Sequence, residues 1–178
     1  MNDSIAGSFL VATPVIGAPP FARSVVLMLE HDESGAVGLI LNARTQLSVQ
    51  EHIPFLAERV SDPGAVFLGG PVSTETAVSL GQSGTAEFLR PTPFANIGIL
   101  DPEQLPDDLT DLRVYAGYSG WDPGQLEAEL TEGSWWVLPA DRSLIFASDT
   151  RDMWDRVVRS APGGIAFHTT YPDDLSLN

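Results

Sequence analysis

The chain reads as a single α/β domain, more closely α+β, and three observations predict it. Short apolar runs rich in β-branched residues and closed by turn residues recur from one end to the other, the mark of many strands. Three segments carry helix-start signals, and all are short. With 178 residues and 43% hydrophobic composition, the chain suits one core, burying roughly 70% of its unfolded surface.

In chain order, Ser8 to Thr13 (SFLVAT) is a strand closed by Pro14, and Gly17 to Pro20 form a rigid connection. Arg23 to His31 and Val37 to Asn42 flank the acidic turn Asp32 to Gly35 and predict a hairpin. Their nearly continuous apolarity suits strands covered on both faces. Ser48 and Glu51 have capping-box spacing, so a helix is expected from there to Val60, broken or bent at Pro54, whose ring displaces Ile53 from the α region. Ala65 to Leu68 is a strand that runs into the turn Gly69, Gly70, Pro71, Val72, and Thr76 to Leu80 continues the sheet.

Gly81 to Pro93 is turn-rich, Ala95 to Leu100 is a short strand, and Asp101 to Asp111 reads as an irregular helical turn. Arg113 to Tyr118 is a strand. It leads into the most explicit stretch, GYSGWDPGQLEAELTEG. With Asp122 as N-cap, Pro123 falls at the first helical position, Gln125 completes a capping box, and Trp121 with Leu126 has hydrophobic-staple spacing. Leu126 and Leu130 share a stripe, and Gly133 is the expected stop. Trp135 to Leu138 and Ser143 to Ala147 predict two more strands. A helix follows, capped by Asp149 or Thr150, with Met153, Trp154, Val157, Val158 and Ala161 on one face. Ile165 to Thr169 is the last expected strand.

Charge narrows the function classes. Twenty-four acidic residues face nine arginines with no lysine, giving a net charge of −15 that repels phosphate backbones. The arginines are scattered, so direct nucleic-acid binding is not expected. The absence of cysteine excludes disulfides and thiolate chemistry. No basic leader precedes an apolar run, and no segment has the ~20 apolar residues of a membrane span, so a cytoplasmic protein is expected.

Candidate chemistry is sparse. Gly117, Tyr118, Ser119 and Gly120 adjoin the helix start, whose free amides suit a small anion, and Gly69 with Gly70 allows close backbone approach. Together with Trp121 and Gln125 these are the candidate ligand-binding residues. Glu127 and Glu129 read as solvated or paired with arginine. Ser119, followed by Asp141 or Asp149 and then His168, has the chain order of an α/β-hydrolase, but Trp121 stands where the nucleophile elbow needs glycine. Glu30, His31, Asp32 and Glu33, or Glu51 with His52, lack metal-site spacing, and no phosphate-loop or dinucleotide motif is present. No catalytic residue, metal or cofactor is therefore assigned.

GSFLVATP, RSVVLMLEHDESGAVGLILN, FLGGPV and GYSGWDPGQLEAEL, in that order, resemble the signature blocks of the bacterial YqgE/AlgH family, and Trp154 to Arg159 and the terminal LSLN fit as well. The resemblance implies a branched, mostly antiparallel sheet curled into a pseudo-barrel with helices outside. It implies no mechanism: the family is largely uncharacterised and carries a transcriptional-regulator label by name. Ser119 stands where the family usually has alanine, which tells against a family-wide hydroxyl role. The expected function is a non-enzymatic binding or regulatory domain that meets an unknown protein partner or a small anion and is open to self-association through a strand edge.

Overall fold

The computed structural model describes residues 4–163 and 165. The expected strand Ile165–Thr169 lies outside these residues except for its first position, as does the terminal LSLN. Ten strands form one sheet: β1 (Ser8–Ala12), β2 (Val25–Asp32), β3 (Gly35–Ile40), β4 (Arg44–Ser48), β5 (Ala65–Leu68), β6 (Val72–Gln82), β7 (Arg90–Pro91), β8 (Ile97–Ile99), β9 (Asp111–Trp121) and β10 (Trp135–Pro139). The main path runs β10-β1-β2-β3-β9-β6-β8-β7, and β4 and β5 lie off it as a branch. All pairings are antiparallel except β5 with β9.

The branch is located on β9. β6 pairs with it from Asp111 to Tyr118, while β5 pairs at Tyr115 and Ala116 and β3 takes over at Ser119 to Trp121. The sheet is mixed and branched as expected, but it is not closed into a barrel: its path ends at β10 and β7.

Alternation along the strands separates two faces. Phe9, Val11, Val25, Leu27, Leu39, Phe67, Leu80 and Tyr115 fill one core layer. This face is covered by α3 (Arg142–Ile145) and α4 (Met153–Ser160), which contribute Leu144, Ile145, Met153, Trp154, Val157 and Val158. The opposite face is divided in two. Leu10, Val26, Met28 and Ile40 pack with Trp121, Trp135 and Leu126 of α2 (Gln125–Thr131), while Val66, Leu112 and Val114 pack with Val49 of α1 (Val49–His52) and with Leu56. The near-continuous apolarity of β1 to β3 thus reflects burial on both sides.

Several expectations need correction. The helix after Ser48 does break at Pro54, into the four residues of α1 and a 3-10 turn at Pro54–Leu56, but Ser48 makes no side-chain capping bond. Ser143 to Ala147 is not a strand. Asp141 accepts hydrogen bonds from the Ser143 amide (2.9 Å) and hydroxyl (2.7 Å), and that cap turns the apolar residues behind it into α3. Neither Asp149 nor Thr150 caps α4 through its side chain: Asp149 receives the Arg151 amide and guanidinium, and Thr150 offers only its carbonyl to Met153. The apolar face of α4 is as expected, with Met153, Trp154, Val157 and Val158 buried. The Trp154 indole donates to the Ala12 carbonyl (2.9 Å), and Arg23 lies over its ring at 4.6 Å, which ties α4 to β1.

The strand entering the focal stretch also runs further than expected, through Ser119 and Gly120 to Trp121. Helix α2 then begins later than a cap at Asp122 would give. Asp122 to Gln125 form a turn closed by the Gln125 amide on the Asp122 carbonyl (3.0 Å), and Gly124, at φ +79° and ψ −9°, takes the third position of a type II turn. Proline at the second position and glycine at the third suit that turn. They mimic a capped helix start in sequence.

Candidate functional site

Gly69, Gly70, Gly117, Tyr118 and Ser119 gather at the sheet's branch point, where β5 and β6 part from β9. Gly69 is the node. Its amide donates to Ala116 (3.0 Å), and its carbonyl accepts the Ile40 amide (2.9 Å) and the Ser119 hydroxyl (3.0 Å), so one residue joins β3, β5 and β9. A side chain cannot fit there. A Cβ on Gly69 would stand 2.2 Å from the Gly117 carbonyl oxygen, and one on Gly70 would stand 2.3 Å from the Tyr118 carbonyl. Gly117, at φ +66°, stands on β9 opposite a bulge in β6, where the stretch from Val72 to Ala77 faces only Tyr118 to Ala116.

Ser119 is fully buried, and its hydroxyl is spent on the Gly69 carbonyl. Tyr118 is half-buried against the core, whereas Gly120 and Gln125 are exposed. The structure brings Gly69, Gly70, Gly117, Tyr118 and Ser119 to one crossing of backbones, with Gly120 next along β9, while Trp121 belongs to the cluster under α2 and Gln125 to the helix entry. Close approach of glycine, inferred as room for a ligand, is taken up by carbonyl groups of the protein itself. At the start of the seven-residue α2, the Gln125 amide is already taken by the Asp122 carbonyl.

The acidic residues of α2 have partners that composition did not reveal. One oxygen of Glu129 accepts both the Trp121 indole (2.9 Å) and the Trp135 indole (2.7 Å), and the other accepts the Gln125 amide (3.0 Å). Gln125 in turn accepts the Asp122 backbone N–H (3.0 Å), the one half of the expected capping box that forms. Phe21 packs on both tryptophans, edge-on to Trp135 at 5.5 Å. Trp121 and Leu126 do share a buried cluster, with the turn rather than a helix cap setting their approach.

Glu127 meets His31 at 2.9 Å, and the imidazole Nδ1 accepts the Ile5 backbone N–H at 3.2 Å. That bond fixes the tautomer: the proton sits on Nε2 and is donated to Glu127. Where solvent or arginine was expected, Glu129 thus holds two indoles and an amide, and Glu127 holds an imidazole. The rest of the acidic cluster around His31 is dispersed, Glu30 to Arg90 (3.1 Å) and Asp32 to the Ser34 amide (2.7 Å). The Ser34 hydrogen bonds hold the Asp32 carboxyl below its ordinary range. Among the described residues no group of three or more His, Asp or Glu is arranged to hold a metal ion.

Sequence reasoning overlooked another concentration of polar groups, at the other end of β9. Arg113 is 1% exposed, lies over the Phe67 ring at 4.4 Å, and donates through Nη2 to the carbonyls of Asp62 (2.9 Å) and Phe146 (3.3 Å). Tyr115 beside it is fully buried, and burial pushes its phenol up to about 12 against the opposing pull of the guanidinium. One signal was present: an arginine alternating with Val114 in a strand otherwise made for a core.

Concavities occur elsewhere, one of about 220 Å³ between β10 and α4, lined by Phe9, Leu144, Arg156 and Val157, and a shallower one beside Phe55 and Arg59. No helix among the described residues is long and apolar enough to cross a membrane.

The branched, mostly antiparallel sheet with few helices is a mixed α+β fold. The AlgH-like family model matches residues 9–166, and the chain belongs to that family. A UPF0301 protein of Streptomyces coelicolor is 40% identical over 99% of this chain and 96% of its own, and one of Mycobacterium tuberculosis is 33% identical over 97% and 90%. The crystal structure of a Corynebacterium diphtheriae protein superposes with a TM-score of 0.82 at 31% identity, covering 93% of this chain and 92% of that one. The solution structure of AlgH from Pseudomonas aeruginosa shares the fold, with a TM-score of 0.70 at 24% identity and coverage of 97% and 96%.

Proposed function

We propose that the protein is a non-enzymatic, cytoplasmic binding or regulatory module that works through contact with another protein, a second copy of itself included, rather than through nucleic acid. The observation that carries this reading is the fate of its few cations. Of nine arginines, Arg90 and Arg151 pair with Glu30 and Asp149, Arg23 lies near Asp155 and Arg113 is buried, against a net charge of −15. A duplex binder needs several arginines or lysines free to displace counterions on one face. The hydrolytic alternative at the strand–helix junction is not retained, because the Ser119 hydroxyl is committed to the Gly69 carbonyl inside the core.

The test is fluorescence anisotropy of labelled genomic and mixed-sequence duplexes across a salt series. The proposal expects no association at physiological ionic strength. Sequence-selective binding whose affinity falls steeply with salt would refute it. Size-exclusion chromatography with light scattering over a dilution series reads self-association separately.

A further inference from the structure

The concavity between β10 and α4 has an apolar floor and two opposite charges in its lining. Phe9, Leu138, Leu144 and Val157, all buried side chains of the core, supply the floor of a space of about 220 Å³. An apolar cavity of roughly 150 Å³ is enough for a benzene ring, so one small molecule fits. Arg156 on α4 and Asp141, the cap of α3, supply the charges. The Arg156 guanidinium makes no hydrogen bond or ion pair among the described residues, and its charge reaches Asp141 only through space. Asp141 spends one oxygen, Oδ1, on both Ser143 donors, and Oδ2 accepts nothing among the described residues. The Ser143 bonds hold the carboxyl below its ordinary range, so it is ionised at neutral pH. The Ser160 hydroxyl, also in the lining, is taken by the Arg156 carbonyl (2.9 Å).

We propose that this concavity binds a free α-amino acid with an apolar side chain: its carboxylate on Arg156, its ammonium on Asp141 Oδ2, and its side chain against Phe9, Leu144 and Val157. The two charges decide the class. A carboxylate alone would meet Asp141 and a protein of net charge −15, and an amine alone would meet Arg156. A zwitterion answers both and brings no net charge. Arg156 and Asp141 are near enough to feel each other yet do not pair, which leaves room for a ligand to bridge them. The guanidinium fork matches a carboxylate in shape as well as in charge. The floor then selects the side chain, since a polar one would lose its hydration there without a partner. The site does not rest on the protein-contact reading above, and the duplex and dilution measurements neither support nor damage it.

The experiment is titration of the isotope-labelled full chain with L-leucine, followed through its amide resonances by NMR. The expected result is saturable shifts centred on Leu138, Leu144 and the stretch from Arg156 to Ala161. L-leucine amide, which lacks the carboxylate, and N-acetyl-L-leucine, which lacks the ammonium, should each bind about tenfold or more weakly. Arg156→Gln and Asp141→Asn should weaken L-leucine itself by a similar factor. Both variants should fold, because Arg156 is exposed and asparagine keeps a cap acceptor for Ser143. Three results would overturn the proposal. One is the absence of shifts with L-leucine, L-valine and L-phenylalanine at millimolar concentration. Another is shifts centred elsewhere, or left unaltered by both variants. The third is either blocked derivative binding as tightly as L-leucine, which would make the ligand a singly charged acid or amine, a peptide terminus included.

Discussion

At the C-terminal end of β9, Ser119, Trp121 and the facing Glu129 exchange hydrogen bonds within the fold, while at the N-terminal end Arg113 and Tyr115 are as deeply buried and Arg113 Nη1 and the Tyr115 hydroxyl have no partner beyond each other. The C-terminal end reads as functional in sequence because glycines, aromatics and carboxylates crowd there. The N-terminal end reads as an ordinary strand. The contrast shows that density of reactive residue types is a poor guide to available chemistry; what matters is whether their hydrogen-bonding capacity has been used up. At a sheet branch, three backbones must approach one another, so glycine is required for steric reasons and the surrounding polar groups become fasteners.

The largest effect should come from filling the node. Gly69→Ala puts a methyl group 2.2 Å from a carbonyl oxygen that belongs to the sheet, and neither partner can move without parting β5 from β9. We expect a loss of about 4 kcal/mol or more, read by urea denaturation, or failure to fold. Glu129→Ala removes the common acceptor of two indoles and leaves their buried N–H groups unsatisfied. A loss of about 2–4 kcal/mol is expected, with shifted tryptophan fluorescence. A variant as stable as the parent would show that the tryptophan–glutamate clasp is incidental.

Alkaline pH separates the two ends of β9. The Tyr115 phenol is raised in the folded state from its ordinary value near 10 to about 12. The folded protein therefore holds a proton that the unfolded chain has released between those values. The stability associated with it is fully present below pH 10 and declines as pH rises towards 12, by up to about 3 kcal/mol. Tyr115→Phe should flatten that limb of the stability curve; an unchanged limb would assign it to other groups. Ser119→Ala should have the smallest effect, about 1 kcal/mol, since Gly69 keeps the Ile40 amide as partner. The same variant should leave labelling by a serine-directed fluorophosphonate unchanged, because no labelling at Ser119 is expected.

Much of this fold was legible in the chain. The β2–β3 hairpin, the break at Pro54 and the apolar face of α4 followed from patterns whose causes are local: turn chemistry, the missing proline amide and 3.6-residue periodicity. The errors fell where one residue type serves two local structures. Asp-Pro-Gly-Gln suits a capped helix start and a type II turn equally, and Gly124 took the positive φ that only the turn requires. Ser143 to Ala147 has strand composition, but a single aspartate cap decided for helix. At the branch point, the glycines stand out in the sequence but their packing partners do not. Gly69 and Gly117 lie far apart in sequence, and nothing local reports that the Gly117 carbonyl fills the space where a Gly69 side chain would be. Glu129 and Trp135 are joined by a bond that depends on the angle between α2 and β10, which no motif records.

Native-state hydrogen exchange at the amides of Gly69 and Ile40, which donate to Ala116 and Gly69 respectively, tests the structural assignment of the branch point most directly. If the node holds the sheet together, both amides exchange only through global unfolding, with the same free energy and denaturant dependence as the amides of β2. Exchange through a local opening of much lower free energy would show a loop free to move for a ligand, and would contradict the account.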